Sequence, residues 1–141
     1  MIRYLAESTA VWRLQRDRKL NDLWAHEIDE GAIGSCAAQR TEFLQSARGL
    51  DEFDHMTQMF ADLYPDVPVP KGAWRWIEAA QYRLAQRGQH QSLSTVDWLV
   101  CATAAHHGLV VLHDEADFRA AALVLTDVVE RNVFAAVARG Q

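Results

Sequence analysis

A chain of 141 residues with 50% hydrophobic content is long enough to bury roughly two thirds of the surface its unfolded form exposes, so it can build a core without disulfides or a structural metal. Its 19 Asp and Glu against 14 Lys and Arg give a net charge of -5. That balance argues against a broad basic nucleic-acid surface but leaves nucleic acid open as a substrate. No apolar run nears the roughly 20 residues of a membrane span, and the start MIRYLAEST is neither a secretory signal nor a transit peptide, so the expected setting is cytoplasmic, with no membrane partner.

In chain order, Met1 to Ala6 is a short apolar run closed by Glu7-Ser8-Thr9, after which Val11, Trp12 and Leu14 take helical spacing. A polar helix over about Leu20 to Glu30 follows, then a second strand at Ala32 to Ser35 and a helix from Ala37 to about Arg48. Leu50, Phe53, Met56, Phe60 and Leu63 mark another helix by spacings of three and four. The Pro-rich segment from Tyr64 to Pro70 is too short for an interdomain linker and reads as an internal connection. Trp74, Ile77, Gln81 and Leu84 define the next helix, which Gly88 closes. Ser94 to Asp97 opens a very apolar helix as a capping box, and that helix runs to His107-Gly108. Leu109 to Leu112 is the β-branched run expected of a parallel strand buried on both faces. A helix near Asp117 to Leu123 and a final strand, Leu123 to Val129, complete the alternation. The pattern predicts an α/β fold over residues 1–141, a single domain with a small, mostly parallel central sheet between helices.

Ligands of open parallel sheets bind outside the carboxyl ends of the strands, and in this chain those positions are acidic. Glu7 follows the first strand, while Asp114, Glu115 and Asp117 follow the strand at 109–112. Glu42 and Asp97 lie on helices that flank these strands. Hard divalent cations such as Mg²⁺ or Mn²⁺ prefer oxygen ligands, and gathered carboxylates need a counter-charge. Each acid also has an ordinary structural role open to it. Glu7, Asp114, Glu115 and Asp117 suit the first turns of helices, Glu42 suits a solvated face, and Asp97 suits the third position of the capping box. Ser8 and Thr9 can bind a phosphate, steady a carboxylate, or simply cap a helix. Cys36 and Cys101, without CxxC spacing, read as reduced buried thiols. The five Trp residues read as core or interface, and His106, His107 and His113 as packing or helix-end residues, with His113 set apart by its place beside the acids.

Taken together, four segments resemble the PIN-domain ribonucleases of the VapC toxin type. They are Tyr4-Leu-Ala-Glu-Ser-Thr-Ala-Val-Trp-Arg-Leu14, Gln39-Arg-Thr-Glu-Phe-Leu44, the stretch from Leu93 through Asp97 to Leu112, and His113-Asp-Glu-Ala-Asp-Phe118. The order and spacing match across essentially the whole chain. Two departures stand out: the family usually has Asp where this chain has Glu7, and its His-x-Asp-x-Asp-Phe ending has Glu115 as the middle acid. Each change lengthens the side chain by a methylene at a site where Mg²⁺ wants near-ideal octahedral geometry. Asp114 and Glu115 both remain open for the fourth ligand position.

The resemblance implies a three-layer α/β/α PIN-like domain and metal-dependent hydrolysis of RNA phosphodiesters by the toxin of a toxin–antitoxin pair. It implies a catalytic set of Glu7, Glu42, Asp97 and Asp117, with Glu7, Asp97, Asp114 or Glu115, and Asp117 as metal ligands. Ser8, Thr9 and Arg13 are the candidates for substrate contact, with Arg16 and Arg18 as further candidates for the RNA backbone. It also implies a homodimer formed through apolar helix faces and a cognate antitoxin that covers the acids. Two other readings stand beside it. One is a PIN-like RNA- or protein-binding module weakened in catalysis by Glu7 and Glu115. The other is a phosphoacceptor receiver domain, which needs a Lys after a late strand; the chain has only Lys19 and Lys71.

Overall fold

The computed structural model describes residues 1–135. The element order is β1 (Tyr4–Ala6), α1 (Ser8–Arg16), α2 (Arg18–Asp29), β2 (Ile33–Gly34), α3 (Ala37–Leu44), α4 (Leu50–Leu63), α5 (Ala73–Ala85), α6 (Thr95–His107), β3 (Val110–His113), α7 (Ala116–Ala122) and β4 (Val129–Asn132). The four strands form one sheet in the order β2-β1-β3-β4, and every pairing is parallel. The expected small parallel sheet is therefore present.

Alternation along the strands explains the layers, because successive side chains point to opposite faces. Leu5 and Val111 enter a core with Ile77, Leu84, Trp98, Val100 and Phe118, from α5, α6 and α7. Ala6, Ile33 and Leu112 enter a second core with Val11, Leu14, Trp24, Phe43 and Phe60, built mainly from α1, α2 and α4. Each fully buried Leu, Val or Phe contributes roughly 1.5–3 kcal/mol relative to exposure, so the two cores together fix the sheet between its helical layers.

Several boundaries differ from the sequence reading. The helix expected to reach Arg48 ends at Leu44. Ser46 and Ala47 turn back onto Phe43 and Leu44 through backbone bonds, while Arg48 donates its backbone N–H and its guanidinium to Glu52, in the first turn of α4. The Pro-rich segment does more than connect: Ser35 N–H donates to Pro65 O and Val67 N–H to Ser35 O, which extends the outer edge of β2. The final strand lies at Val129–Asn132, not at Leu123 to Val129. Residues 124–128 instead form turns, with Leu125 N–H bonded to Ala121 O and Val128 N–H to Leu125 O. Their apolar side chains follow from this, since Leu125 and Val128 are buried at a spacing of three.

The Trp residues divide. Trp24 and Trp98 are core residues, whereas Trp74 is 55% exposed. Both cysteines are free and buried. No helix among the described residues is long and apolar enough to cross a membrane.

Candidate active site

In the order β2-β1-β3-β4, the chain leaves β1 toward one side of the sheet and β3 toward the other. A crevice opens outside the carboxyl ends of strands at such a switch point. Glu7 stands at the end of β1, where its backbone N–H donates to Leu112 O at 2.9 Å. Glu115 follows β3 and caps the start of α7, which carries Asp117. Helices α3 and α6 bring in Glu42 and Asp97.

Glu7 is 4% exposed. Its carboxylate accepts from the Thr9 N–H at 3.0 Å and from the Thr9 hydroxyl, so Glu7 itself is the N-cap of α1. Burial pushes its carboxyl from 4.5 up to about 7 against these hydrogen bonds, and the charges of Asp97 and Glu115 add to the rise. Asp97 completes the capping box of α6, donating its N–H to Ser94 Oγ at 3.1 Å and accepting from the Ser94 N–H at 3.3 Å. Its carboxyl is raised by burial, opposed by the Ser94 bonds, and raised further by Glu42 and Asp117. The carboxyl of Glu115 is raised by burial and then by Asp97, Asp117, Glu42 and Asp114. Five carboxylates, Glu7, Glu42, Asp97, Glu115 and Asp117, therefore share one electrostatic neighbourhood.

Asp114 is placed differently. Arg13 Nε donates to its Oδ2 at 2.7 Å and Asn132 Nδ2 to its Oδ1 at 3.1 Å, while its backbone N–H donates to the Thr9 hydroxyl at 2.8 Å. Its charge is neutralised by Arg13. None of the other five acids makes a salt bridge among the described residues.

The donor set suits a hard divalent cation: all oxygen, mutually repulsive, and lacking a basic partner among the described residues. Among the described residues, the protein alone does not draw three such groups into ligation distance of one another, as expected of unscreened carboxylates. Those in the neighbourhood that fit a cation are Glu7, Asp97, Glu115 and Asp117, with Glu42 beside them.

The candidate substrate residues are largely committed elsewhere. Thr9 bridges Glu7 and Asp114, Ser8 is buried and accepts from Gln39 Nε2 at 3.0 Å, and Arg13 is held by Asp114. The Arg16 guanidinium lies over the Trp12 ring at 4.4 Å; Arg18 begins α2. Three residues with no assigned role in the sequence reading stand at the site: Gln39, Glu130 and Asn132. Only Gln39 carried a hint, one helical turn before Glu42.

No family model matches the chain. Ribonuclease VapC6 of Mycobacterium tuberculosis is 58% identical over 105 residues, covering 74% of this chain and 83% of the relative. Ribonuclease VapC21 of the same organism is 28% identical over 131 residues, 91% of this chain and 92% of the relative. The fold matches that of a DNA-bound VapBC from Salmonella typhimurium with a TM-score of 0.76 at 11% identity, over 94% of this chain and 99% of that one. It also matches VapBC-5 from Mycobacterium tuberculosis, a member of the VapBC family of toxin–antitoxin systems, with a TM-score of 0.62 at 20% identity, over 92% of this chain and 98% of that one. The solved structures speak for the fold, while the identity to VapC6 over most of both chains decides the lineage: the chain belongs to the VapC ribonuclease family.

Proposed function

We propose that this chain, acting as one PIN-like domain, is a divalent-cation-dependent endoribonuclease and the toxin of a toxin–antitoxin pair in the cytoplasm. The observation that carries the reading is the group of five carboxylates at the switch point, without a basic partner among the described residues while neighbouring Asp114 has one. Glu7, Asp97, Glu115 and Asp117 would hold Mg²⁺ or Mn²⁺, and Asp114 is set aside as a ligand because Arg13 and Asn132 occupy it. Bound there, the cation would polarise a phosphoryl oxygen, lower the pKa of water and offset the charge of the transition state.

The protein's own groups do the rest. Thr9 holds the Glu7 carboxylate by two hydrogen bonds, and the Ser94 capping box fixes Asp97. Glu42, half-buried and on the helix opposite, orients the attacking water or a second cation. Thr9 serves the acids here more than the phosphate, and Ser8 is taken up by Gln39.

Solved structures that share this fold include VapBC structures, two of them bound to DNA, and these support a cognate antitoxin for this chain, encoded in a neighbouring reading frame. A homodimer through apolar helix faces belongs to the same reading.

Incubating the purified protein with total RNA in Mg²⁺, Mn²⁺ or EDTA tests the activity. Cleavage is expected with either metal and not in EDTA. Asp97→Asn keeps an acceptor for the Ser94 N–H, so it is expected to fold and to lose both cleavage and growth inhibition; retained toxicity would refute the metal-nuclease reading. Metal binding without cleavage, with activity gained in Glu7→Asp, would instead identify the weakened binding module.

A further inference from the structure

Strand β4 has the sequence Val-Glu-Arg-Asn, although strands of parallel sheets are ordinarily near-continuous apolar runs. Its polar side chains are engaged toward the β3–α7 loop and β1. Asn132 donates to Asp114, Arg131 Nη1 donates to the Tyr4 hydroxyl at 2.9 Å, and Glu130 Oε1 lies 2.7 Å from His113 Nε2. His113 is 1% exposed and ends β3.

We propose that Glu130 and His113 form a positioning pair that sets the backbone of Glu115 so that its carboxylate meets the other acids. The inference rests on the reading that Glu115 is a cation ligand. The Glu115 N–H donates to His113 Nδ1 at 3.0 Å, so Nδ1 is the acceptor nitrogen and the proton sits on Nε2, where it is donated to Glu130. One imidazole thus connects the edge strand to the first residue of the α7 turn. The ring is held in place by Phe118, at 5.0 Å between centroids and 33° between planes. The register pairs Val111 with Glu130 and His113 with Asn132, so the acceptor is delivered by the sheet itself.

Sorting of the two loop acids follows. Asp114 is turned to Arg13 and Asn132, and Glu115, whose side chain makes no capping bond, is left to face Asp97 and Glu42. Without an acceptor at position 130, the buried Nε2–H would be orphaned. Relief by ring rotation or a change of tautomer would release the Glu115 N–H. What is needed at position 130 is an acceptor oxygen, not a charge. Loss of a hydrogen-bond partner that orients a metal-binding group typically lowers metal affinity by 10–100-fold.

The test compares wild type, Glu130→Gln, Glu130→Leu and Glu115→Gln by calorimetric titration with Mn²⁺ alone. Imidazole ¹⁵N NMR and amide exchange are followed on the metal-free proteins. Expected are an Nε2–H tautomer for His113 in wild type, Mn²⁺ affinity close to wild type in Glu130→Gln, and a loss of roughly tenfold or more in Glu130→Leu. Faster exchange of the Glu115 amide in Glu130→Leu, with the Val111 and Leu112 amides still protected, separates lost positioning from general loosening. The inference is overturned by an Nδ1–H tautomer. It is also overturned if Glu130→Leu binds Mn²⁺ like wild type while Glu115→Gln does not, or if Glu130→Gln loses as much affinity as Glu130→Leu. Should Glu115→Gln itself bind like wild type, the ligand reading beneath the inference fails instead.

Discussion

Glu7 is a buried acid that also caps a helix. Its carboxylate caps α1, yet burial and two neighbouring acids lift its carboxyl to about 7. A carboxyl raised in the folded state favours the protonated form. Its contribution to stability is therefore fully present below pH 4.5, the unfolded value, and is lost as pH rises through 7. An elevation of this size corresponds to roughly 3 kcal/mol. In EDTA, the melting temperature of wild type is expected to fall between pH 5 and pH 8 by more than that of Glu7→Gln, whose amide oxygen still accepts from Thr9. Parallel pH profiles in thermal melts would show that Glu7 is not the group responsible. Asp97 likewise caps its own helix, through the Ser94 box, while burial and the charges of Glu42 and Asp117 raise its carboxyl.

Among the elements, β2 depends on the segment lying beside it. A Cβ on Gly34 would stand 2.5 Å from Val67 Cγ2 and 3.1 Å from Pro65 O, so Gly34 lets the Pro-rich stretch close on the sheet edge. Gly34→Ala is expected to cost about 1–3 kcal/mol through overpacking, read as a lower urea midpoint; an unchanged midpoint would mean that the segment moves aside freely. Helix α4 and the capping box of α6 were legible in sequence because their signals are local: spacings of three and four, and Ser94 with Asp97. Strand β4 was not. The apolar run before it is used for turns, and its own polar residues owe their place to partners such as His113, Asp114 and Tyr4. The ambiguity between Asp114 and Glu115 had the same origin, since Arg13, on α1, lies about a hundred residues away in the chain.

At the scale of the whole molecule, the excess of 19 acids over 14 bases equals in number the five carboxylates of the proposed cation site. Without Glu7, Glu42, Asp97, Glu115 and Asp117, the chain holds 14 acids and 14 bases, so a cation bound at the proposed site would remove much of the apparent conflict with the proposed RNA substrate. Binding only to the folded state stabilises it by about 2.7 kcal/mol at a hundredfold excess over the dissociation constant. Saturating Mn²⁺ is therefore expected to raise the melting temperature of wild type and to leave Asp97→Asn nearly unmoved. An equal rise in both proteins would point to binding elsewhere.

Cys101, one helical turn after Asp97, is fully buried, and its thiol is pushed up first by that burial and then by the charges of Asp97 and Glu7. The thiolate is the reactive form, so alkylating reagents can label Cys101 only when α6 lifts off the sheet. The rate of labelling then becomes a clock for the opening of α6 from the sheet. Cys36, buried at the entry to α3, is a second clock at the helix that carries Glu42. Comparing their rates with and without Mn²⁺ would show whether the cation fastens both helices together or only the one that carries Asp97.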